Sequence, residues 1–284
     1  MYPDNMTTNK KSKRIILFAD LRDSTNILLN FEKGLYHSDE KNQGTAFSYE
    51  EFLRDVHETT YKELYLSHES TLAEIYGDGI MAVFPEDNGK YILENIYRLT
   101  SGMRRYNDSL REDKLRPKID IGCGITIGNV SFAFYPFDNR YHALGEAIHE
   151  AARIESLSKR YDARVLISQH FFKFIQYYVN SDTRFSYRFI DRLVLYGFRE
   201  PLALYELLLD NDPRFEIKKK SVEAYNRAYT MYCNRDWAGA KDIFYDIFLK
   251  YGLGTGSIMA NRCDRLAKNE PDDNWEGIWD SSKK

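Results

Sequence analysis

Apolar residues along this chain recur in two periods, alternate positions in some stretches and every third or fourth in others, and these periods predict its elements. "RIILFAD" (14–20) is a short apolar run suited to a buried strand that ends on an acid, Asp20. It leads into "LRDSTNILLNF", where Ser24 or Thr25 can begin a helix. Residues 33–46 have no clear period and read as a loop. Ser48 and Glu51 then have capping-box spacing, and the helix they open sets Leu53, Val56, Thr60 and Leu64 on one stripe. "TLAEIY" and "IMAVF" flank a Gly-Asp-Gly and read as a hairpin. A helix follows from about Tyr91 to Leu110, then a glycine-punctuated strand, "KIDIGCGITIG" (118–128). "EAIHEAARIESLSKR" (146–160) is amphipathic, with Ile148, Ala151, Ala152 and Ile154 as its packing residues; "ARVLIS" and "PLALYELLL" are further strands. Strands alternating with helices predict one α/β or α+β domain over residues 12–208.

The texture changes at Asp210. "SVEAYNRAYTMYC" and "DWAGAKDIFYDIFLKYG" read as two helices joined by a short break near Asn234, like one tetratricopeptide-like unit without an array behind it. Trp275 and Trp279 close the chain, and the large apolar area of tryptophan predicts that they pin the tail to the body.

Composition narrows the class. Hydrophobic residues make up 43% of 284, enough for a sizeable core. A net charge of -3 gives no support for nucleic-acid binding through a basic surface. Cys123, Cys233 and Cys263 are odd in number and far apart, which favours a reducing, cytoplasmic setting over a disulfide framework. Residues 1–12 are polar, lack the apolar stretch of a signal peptide and are expected to be disordered. No apolar run approaches the roughly 18 residues of a membrane span.

The candidate chemistry begins at "EIYGDGIMAVF" (74–84). Taken alone, Asp78 is a turn residue, since an Asp-Gly turn needs no further reason. Asp20 changes that reading, because an unpaired carboxylate at the end of a buried strand is costly. If the two strands are neighbours, both acids converge, and paired carboxylates with open positions suit magnesium carrying phosphates. The helix after Asp20 offers free N–H groups to a polyphosphate. Arg153, on the 146–160 helix, adds positive charge.

Together "LFADLRDST", "GDGIMAVF" and "GITIGNV…YHALGEAIHEAARIE…RVLIS" resemble the ordered motifs of class III nucleotidyl cyclases over residues 14–208. The resemblance implies an α+β fold with a ferredoxin-like βαββαβ catalytic domain over 13–209 and a helical C-terminal extension over 210–284. It implies a head-to-tail homodimer with active sites shared between protomers, acting on a nucleoside triphosphate. Asp20 and Asp78 then match the ligands of two divalent cations (magnesium or manganese), with the backbone carbonyl of Leu21 as a further ligand. Arg153, from the other protomer, matches the transition-state arginine. The loop of Leu21, Arg22, Asp23, Ser24 and Thr25 would hold the β- and γ-phosphates, although Arg22 reads equally well as a solvated surface residue.

Four positions depart from the adenylate cyclase pattern. The lysine and the aspartate or threonine that read adenine are here Glu74 and His142. A carboxylate accepts from an amino group, which guanine and cytosine present, and a histidine can donate or accept. Glu74 also reads as an ordinary salt-bridge residue and His142 as a plain loop or core histidine. The asparagine four before the catalytic arginine is His149, still able to donate to ribose or phosphate. The late phosphate-binding lysine is Tyr196, with Arg199 nearby as a substitute charge.

Altered base-reading positions and a short helical tail resemble the pyrimidine cyclases of the Pycsar antiphage system. These make cyclic CMP or cyclic UMP for a separate effector. Glu74 favours CTP over UTP, with guanylate or adenylate cyclase activity as the alternative. A catalytically silent cyclase fold that binds a nucleotide or a partner is the competing class. The absence of a "GGDEF"-like sequence and the presence of the "EAARIE" helix count against a polymerase-like or diguanylate-cyclase reading.

Overall fold

The computed structural model describes residues 11–36, 47–65, 70–110 and 116–281. Most of the expected disorder over 1–12 and of the loop 33–46 therefore lies outside the described residues, while Ser12 already opens a strand. The chain divides into two compact units, residues 1–122 with 128–148 and residues 123–127 with 149–284.

In the first unit β1 (Ser12–Leu21) leads into α1 (Ser24–Glu32). The helix α2 (Tyr49–Val56) carries the expected capping box: Ser48 Oγ accepts from Glu51 N–H at 3.2 Å, and Glu51 accepts from Ser48 N–H at 2.9 Å. It passes through one π-helical turn (His57–Tyr61) into α3 (Lys62–Tyr65). The wider turn shifts the buried face relative to the sequence expectation. Phe52, Val56, Thr60, Tyr61 and Leu64 are buried, and Leu53 is only partly so.

The hairpin of β2 (Leu72–Tyr76) and β3 (Gly79–Pro85) follows, then α4 (Gly89–Ser109) and β4 (Ile121–Tyr135). This gives the βαββαβ order. β3 lies antiparallel between β2 and β1, with Ala19 opposite Ile80 and Tyr76 opposite Gly79. Buried on both faces, β3 reads as a continuous apolar run. The β4 strand extends seven residues beyond the predicted 128 and pairs with β5 (Arg140–Leu144), a hairpin the sequence pattern did not mark.

In the second unit β4 residues 123–125 pair in parallel with β6 (Val165–Ser168). The helix α5 (Glu146–Arg160) buries Ala147, Ala151, Ile154 and Leu157, a stripe of spacing 4, 3, 3. Ile148 and Ala152 are half-buried flanks. The element α6 (Gln169–Ser181) precedes β7 (Phe185–Val194), which pairs antiparallel with β8 (Pro201–Leu209); β8 also pairs with β6. The tail forms three helices where two were expected: α7 (Phe215–Cys233), α8 (Trp237–Tyr251) and α9 (Gly254–Lys268). Tyr225, Tyr232, Phe244 and Met259 from them share one core with Ile154, Leu166, Ile190 and Leu204. Trp279, in β9 (Trp279–Asp280), pairs alongside Leu193, and Trp275 packs on Tyr232 and Trp237. Both tryptophans pin the tail as expected.

Charged residues also fasten α7 and α9 to β7 and β8. Fully buried Glu206 accepts from Arg188 Nε at 2.6 Å and from Lys218 Nζ at 2.7 Å. Arg188 also donates to Thr255 Oγ1 of α9 at 3.1 Å. Burial pushes the Glu206 pKa up, but Arg188 and Lys218 outweigh it and leave it at about 2. Removing one member of such a cluster strands buried charge, which costs about 3–5 kcal/mol. Glu206→Gln is expected to lower the unfolding free energy by that order in urea titrations at pH 7; a loss below ~1 kcal/mol contradicts this fastening role. Because the folded carboxyl is depressed, its stabilisation is complete above the ordinary 4.5 and is lost as pH falls towards 2. The wild-type advantage over Glu206→Gln should shrink over that window.

Candidate active site

The tip of the β2–β3 hairpin is a two-residue turn, Gly77–Asp78, and not an Asp-Gly turn. Gly77 takes the positive φ of 61° and Asp78 does not, the pattern of a type II′ turn with glycine first. This frees Gly79 for a different task. A Cβ at Gly79 would stand 2.7 Å from Asp20 Oδ1, so only glycine leaves room for that carboxylate beside the hairpin.

Asp20 and Asp78 thus converge as the sequence suggested, at the ends of paired strands. Burial raises the Asp20 pKa from its ordinary 3.8 to about 6, and the charge of Asp78 and a hydrogen bond with it add to the rise. Asp78 Oδ2 is buried with no hydrogen-bond partner. Two carboxylates in contact, one holding its proton towards neutrality and the other with an orphaned oxygen, form a site short of positive charge. Hard oxygen donors with an unsatisfied lone pair fit a divalent cation of the magnesium type, which accepts one or two carboxylates and completes its shell with phosphates and water. Leu21, whose carbonyl was expected as a further ligand, is the last residue of β1. Among the described residues no group of three or more His, Cys, Asp or Glu side chains clusters, so oxygens beyond the two carboxylates are needed.

Two residues that sequence reasoning missed hold the turn. His57 Nε2–H donates to the Gly77 carbonyl at 3.0 Å, and Tyr61 O–H donates to the Asp78 carbonyl at 3.0 Å. They sit four apart on the π-helical turn, with ring centroids 5.7 Å apart. Tyr49, at the start of α2, also feels both acids: burial raises its pKa, and Asp78 and Asp20 raise it further. Only the i, i+4 spacing of the His57 and Tyr61 rings was visible in advance.

The loop expected to hold phosphates has mixed fates. Asp23 adopts a left-handed conformation (φ 60°) and begins α1 without a side-chain cap, leaving the first amides, at Ser24 and Thr25, without one. Arg22 is not a solvated surface residue. Its side chain is 9% exposed and pairs with Asp120 at 3.3 Å, while its N–H donates to the Asp120 carbonyl at 2.8 Å.

Glu74 is half-buried on β2. Burial raises its pKa, opposed by His142 and Arg140 and reinforced by Asp138. Glu74 and His142 therefore lie in one electrostatic neighbourhood. His142 Nε2–H donates to Asp138 Oδ2 at 2.6 Å and its ring stacks on Tyr135 with centroids 4.7 Å apart. Asp138 thereby fixes the Nε2–H edge and leaves Nδ1 as the other face for hydrogen bonding.

The second unit carries the cationic group. His149 and Arg153 lie one helical turn apart on α5, both exposed. The Arg153 guanidinium lies over the Tyr196 ring, 5.2 Å from its centroid. Arg199, the candidate substitute charge, is exposed in the β7–β8 connection.

Comparison with protein-family models gives no match. Among curated proteins, the terminal-differentiation-specific adenylate cyclase of Dictyostelium discoideum is 29% identical over 160 residues, 55% of this chain and 7% of that protein. An adenylate cyclase of Anabaena cylindrica is 31% identical over 137 residues, 46% of this chain and 26% of that one. The chain thus matches well under a third of the length of either relative. Among solved structures, the adenylyl cyclase CyaB from P. aeruginosa superposes with a TM-score of 0.55 at 18% identity, covering 70% of this chain and 95% of that one. The fold is that of a class III nucleotidyl cyclase catalytic domain. Among the described residues, no helix is long and apolar enough to cross a membrane.

The acid pair gives a direct test. With its pKa raised, folded Asp20 keeps a proton that the unfolded chain has released, so its contribution is most favourable below about pH 4 and is lost as pH rises through 6. In EDTA, Asp20→Asn is expected to melt a few degrees above wild type at pH 7.5, with the gap closing towards pH 4. Equal or lower Tm for Asp20→Asn at pH 7.5 contradicts the crowded-carboxylate reading.

Proposed function

We propose that this protein is a metal-dependent nucleotidyl cyclase, converting a nucleoside triphosphate to its 3′,5′-cyclic monophosphate and pyrophosphate. The observation that carries the proposal is the Asp20–Asp78 pair, a carboxylate site lacking positive charge at paired strand ends of a cyclase fold. In the reaction the ribose 3′-oxygen bonds to the α-phosphorus, its proton passes to solvent water, and the bond to pyrophosphate breaks with the electron pair leaving on pyrophosphate. Two divalent cations held by Asp20, Asp78 and the Leu21 carbonyl would supply acidification of that hydroxyl and neutralisation of the leaving phosphates.

The chain's own groups have separate tasks. Amides at Ser24 and Thr25, at the uncapped start of α1, receive the terminal phosphates. The resemblance has Arg153 act across a homodimer, its guanidinium opposing the charge that builds on the α-phosphoryl oxygens. His149 donates to ribose or phosphate. Tyr61 and His57 keep the Asp78 turn from drifting, which matters because small displacements of catalytic groups are costly.

For the base, the half-buried Glu74 supports one with an exocyclic amino group, and the resemblance to Pycsar enzymes supports a pyrimidine, hence CTP, and a product read by a separate effector in antiphage defence. Guanine also presents an amino group, so GTP is the second reading of the same carboxylate. Incubation with manganese and each of the four ribonucleoside triphosphates, with products identified by mass spectrometry, tests both levels. A cyclic product is expected, with CTP preferred, and Glu74→Lys should reorder the preferences by about tenfold or more. No cyclic product from any triphosphate defeats the enzyme reading. A uniform loss of rate in Glu74→Lys defeats the base-reading role alone.

A further inference from the structure

Tyr196 stands where the cyclase pattern has a phosphate-binding lysine, and its local geometry gives it a different task. Residues 195–198 form a tight turn: Phe198 N–H donates to the Leu195 carbonyl at 2.9 Å and Gly197 has φ 87°. Positive φ at the third position marks a type II turn, which glycine adopts without strain. The turn is anchored on both sides, by Leu195 buried to 2% exposure and by Phe198 packed against the core of the second unit. Tyr196, at the second position, is held away from that core with 61% of its surface exposed. Its ring is nevertheless occupied, because the Arg153 guanidinium lies over it at 5.2 Å. Among the described residues no carboxylate is paired with Arg153.

We infer that Tyr196 is a positioning residue for Arg153, its ring face holding the guanidinium in place for an anionic reacting group. The physical case is one of entropy and charge. An exposed arginine on a helix loses side-chain freedom when it must reach one geometry. An aromatic face restricts that freedom beforehand through cation–π attraction. A carboxylate partner would do the same but would cancel the charge that the phosphoryl oxygens need. A lysine at 196 would repel the guanidinium. The tyrosine therefore replaces a direct phosphate contact by orientation of the arginine. This assignment rests on the cyclase reading above, because it gives Arg153 an anion to meet.

The test uses the full-length protein with Tyr196→Phe and Tyr196→Leu. Because stacking needs the ring and not the hydroxyl, Tyr196→Phe should keep kcat within about twofold. Tyr196→Leu should lower kcat about three- to tenfold with KM for the triphosphate unchanged and Tm unmoved. In protein carrying 15N-arginine, the Arg153 Nε–H signal, identified by its loss in Arg153→Lys, should be ring-shifted in wild type and Tyr196→Phe and move back in Tyr196→Leu. An unshifted Arg153 signal in wild type overturns the assignment. So does a Tyr196→Leu defect confined to KM, which would make 196 a phosphate contact, or an unchanged kcat in an active enzyme. A wild type that forms no cyclic product defeats the cyclase reading and this role with it, while the ring shift still reports whether the stack exists.

Discussion

Repulsion between Asp20 and Asp78 is the interaction on which the rest of the first unit turns. Asp20 is set against a second carboxylate away from bulk water, which raises its cost of ionisation, and burial makes the larger contribution. A fold selected only for stability would separate them. This one does the opposite: the antiparallel register sets Asp20 beside the hairpin, Gly79 omits the side chain that would push it away, and Gly77 takes the positive φ of the turn. His57 and Tyr61 then fix the turn carbonyls from the neighbouring helix. The cost falls on the buried Asp20 carboxylate, and a cation is the partner that would relieve it.

The second unit solves a different problem. Its helical tail carries many charges, and the sequence alone gives no reason to place Arg188, Glu206 or Lys218 in an interior. They are buried because each satisfies another across β7, β8 and α7, with Thr255 of α9 closing the network. The tail thereby shares the hydrophobic core of the β6–β8 strands. On α5 the same helix buries one stripe and presents His149 and Arg153 on the other, so packing and chemistry are divided by helical period.

Much of this was legible in the chain. The apolar run ending at Asp20, the hairpin around Asp78 and the Ser48–Glu51 cap follow from local periodicity and turn chemistry, while the βαββαβ order is what the resemblance to class III cyclases implies. On α5 the helix was legible but its buried stripe only in part: Ala151 and Ile154 are buried as expected, whereas Ala147 and Leu157 take the places given to Ile148 and Ala152. What was not legible depends on long-range geometry. The turn type was misread because Gly-Asp and Asp-Gly overlap in "GDG", and only the register decides between them. The tethers from His57 and Tyr61 span 20 and 17 residues, and a π-helical turn aims both rings at one strand end. Arg22 has the sequence signature of a solvated or phosphate-facing residue, yet Asp120, far along the chain, claims it. The contact of Tyr196 with Arg153 joins residues 43 positions apart, which no local pattern marks.

The central claim, that the acid pair is a cation site, is most directly tested by electron paramagnetic resonance titration of Mn²⁺ into the protein without nucleotide and with a non-cyclisable triphosphate. Bound manganese should appear in wild type, tighten with the triphosphate and vanish in both Asp20→Asn and Asp78→Asn. Manganese bound equally well by either variant, or absent from wild type even with the triphosphate, contradicts the account.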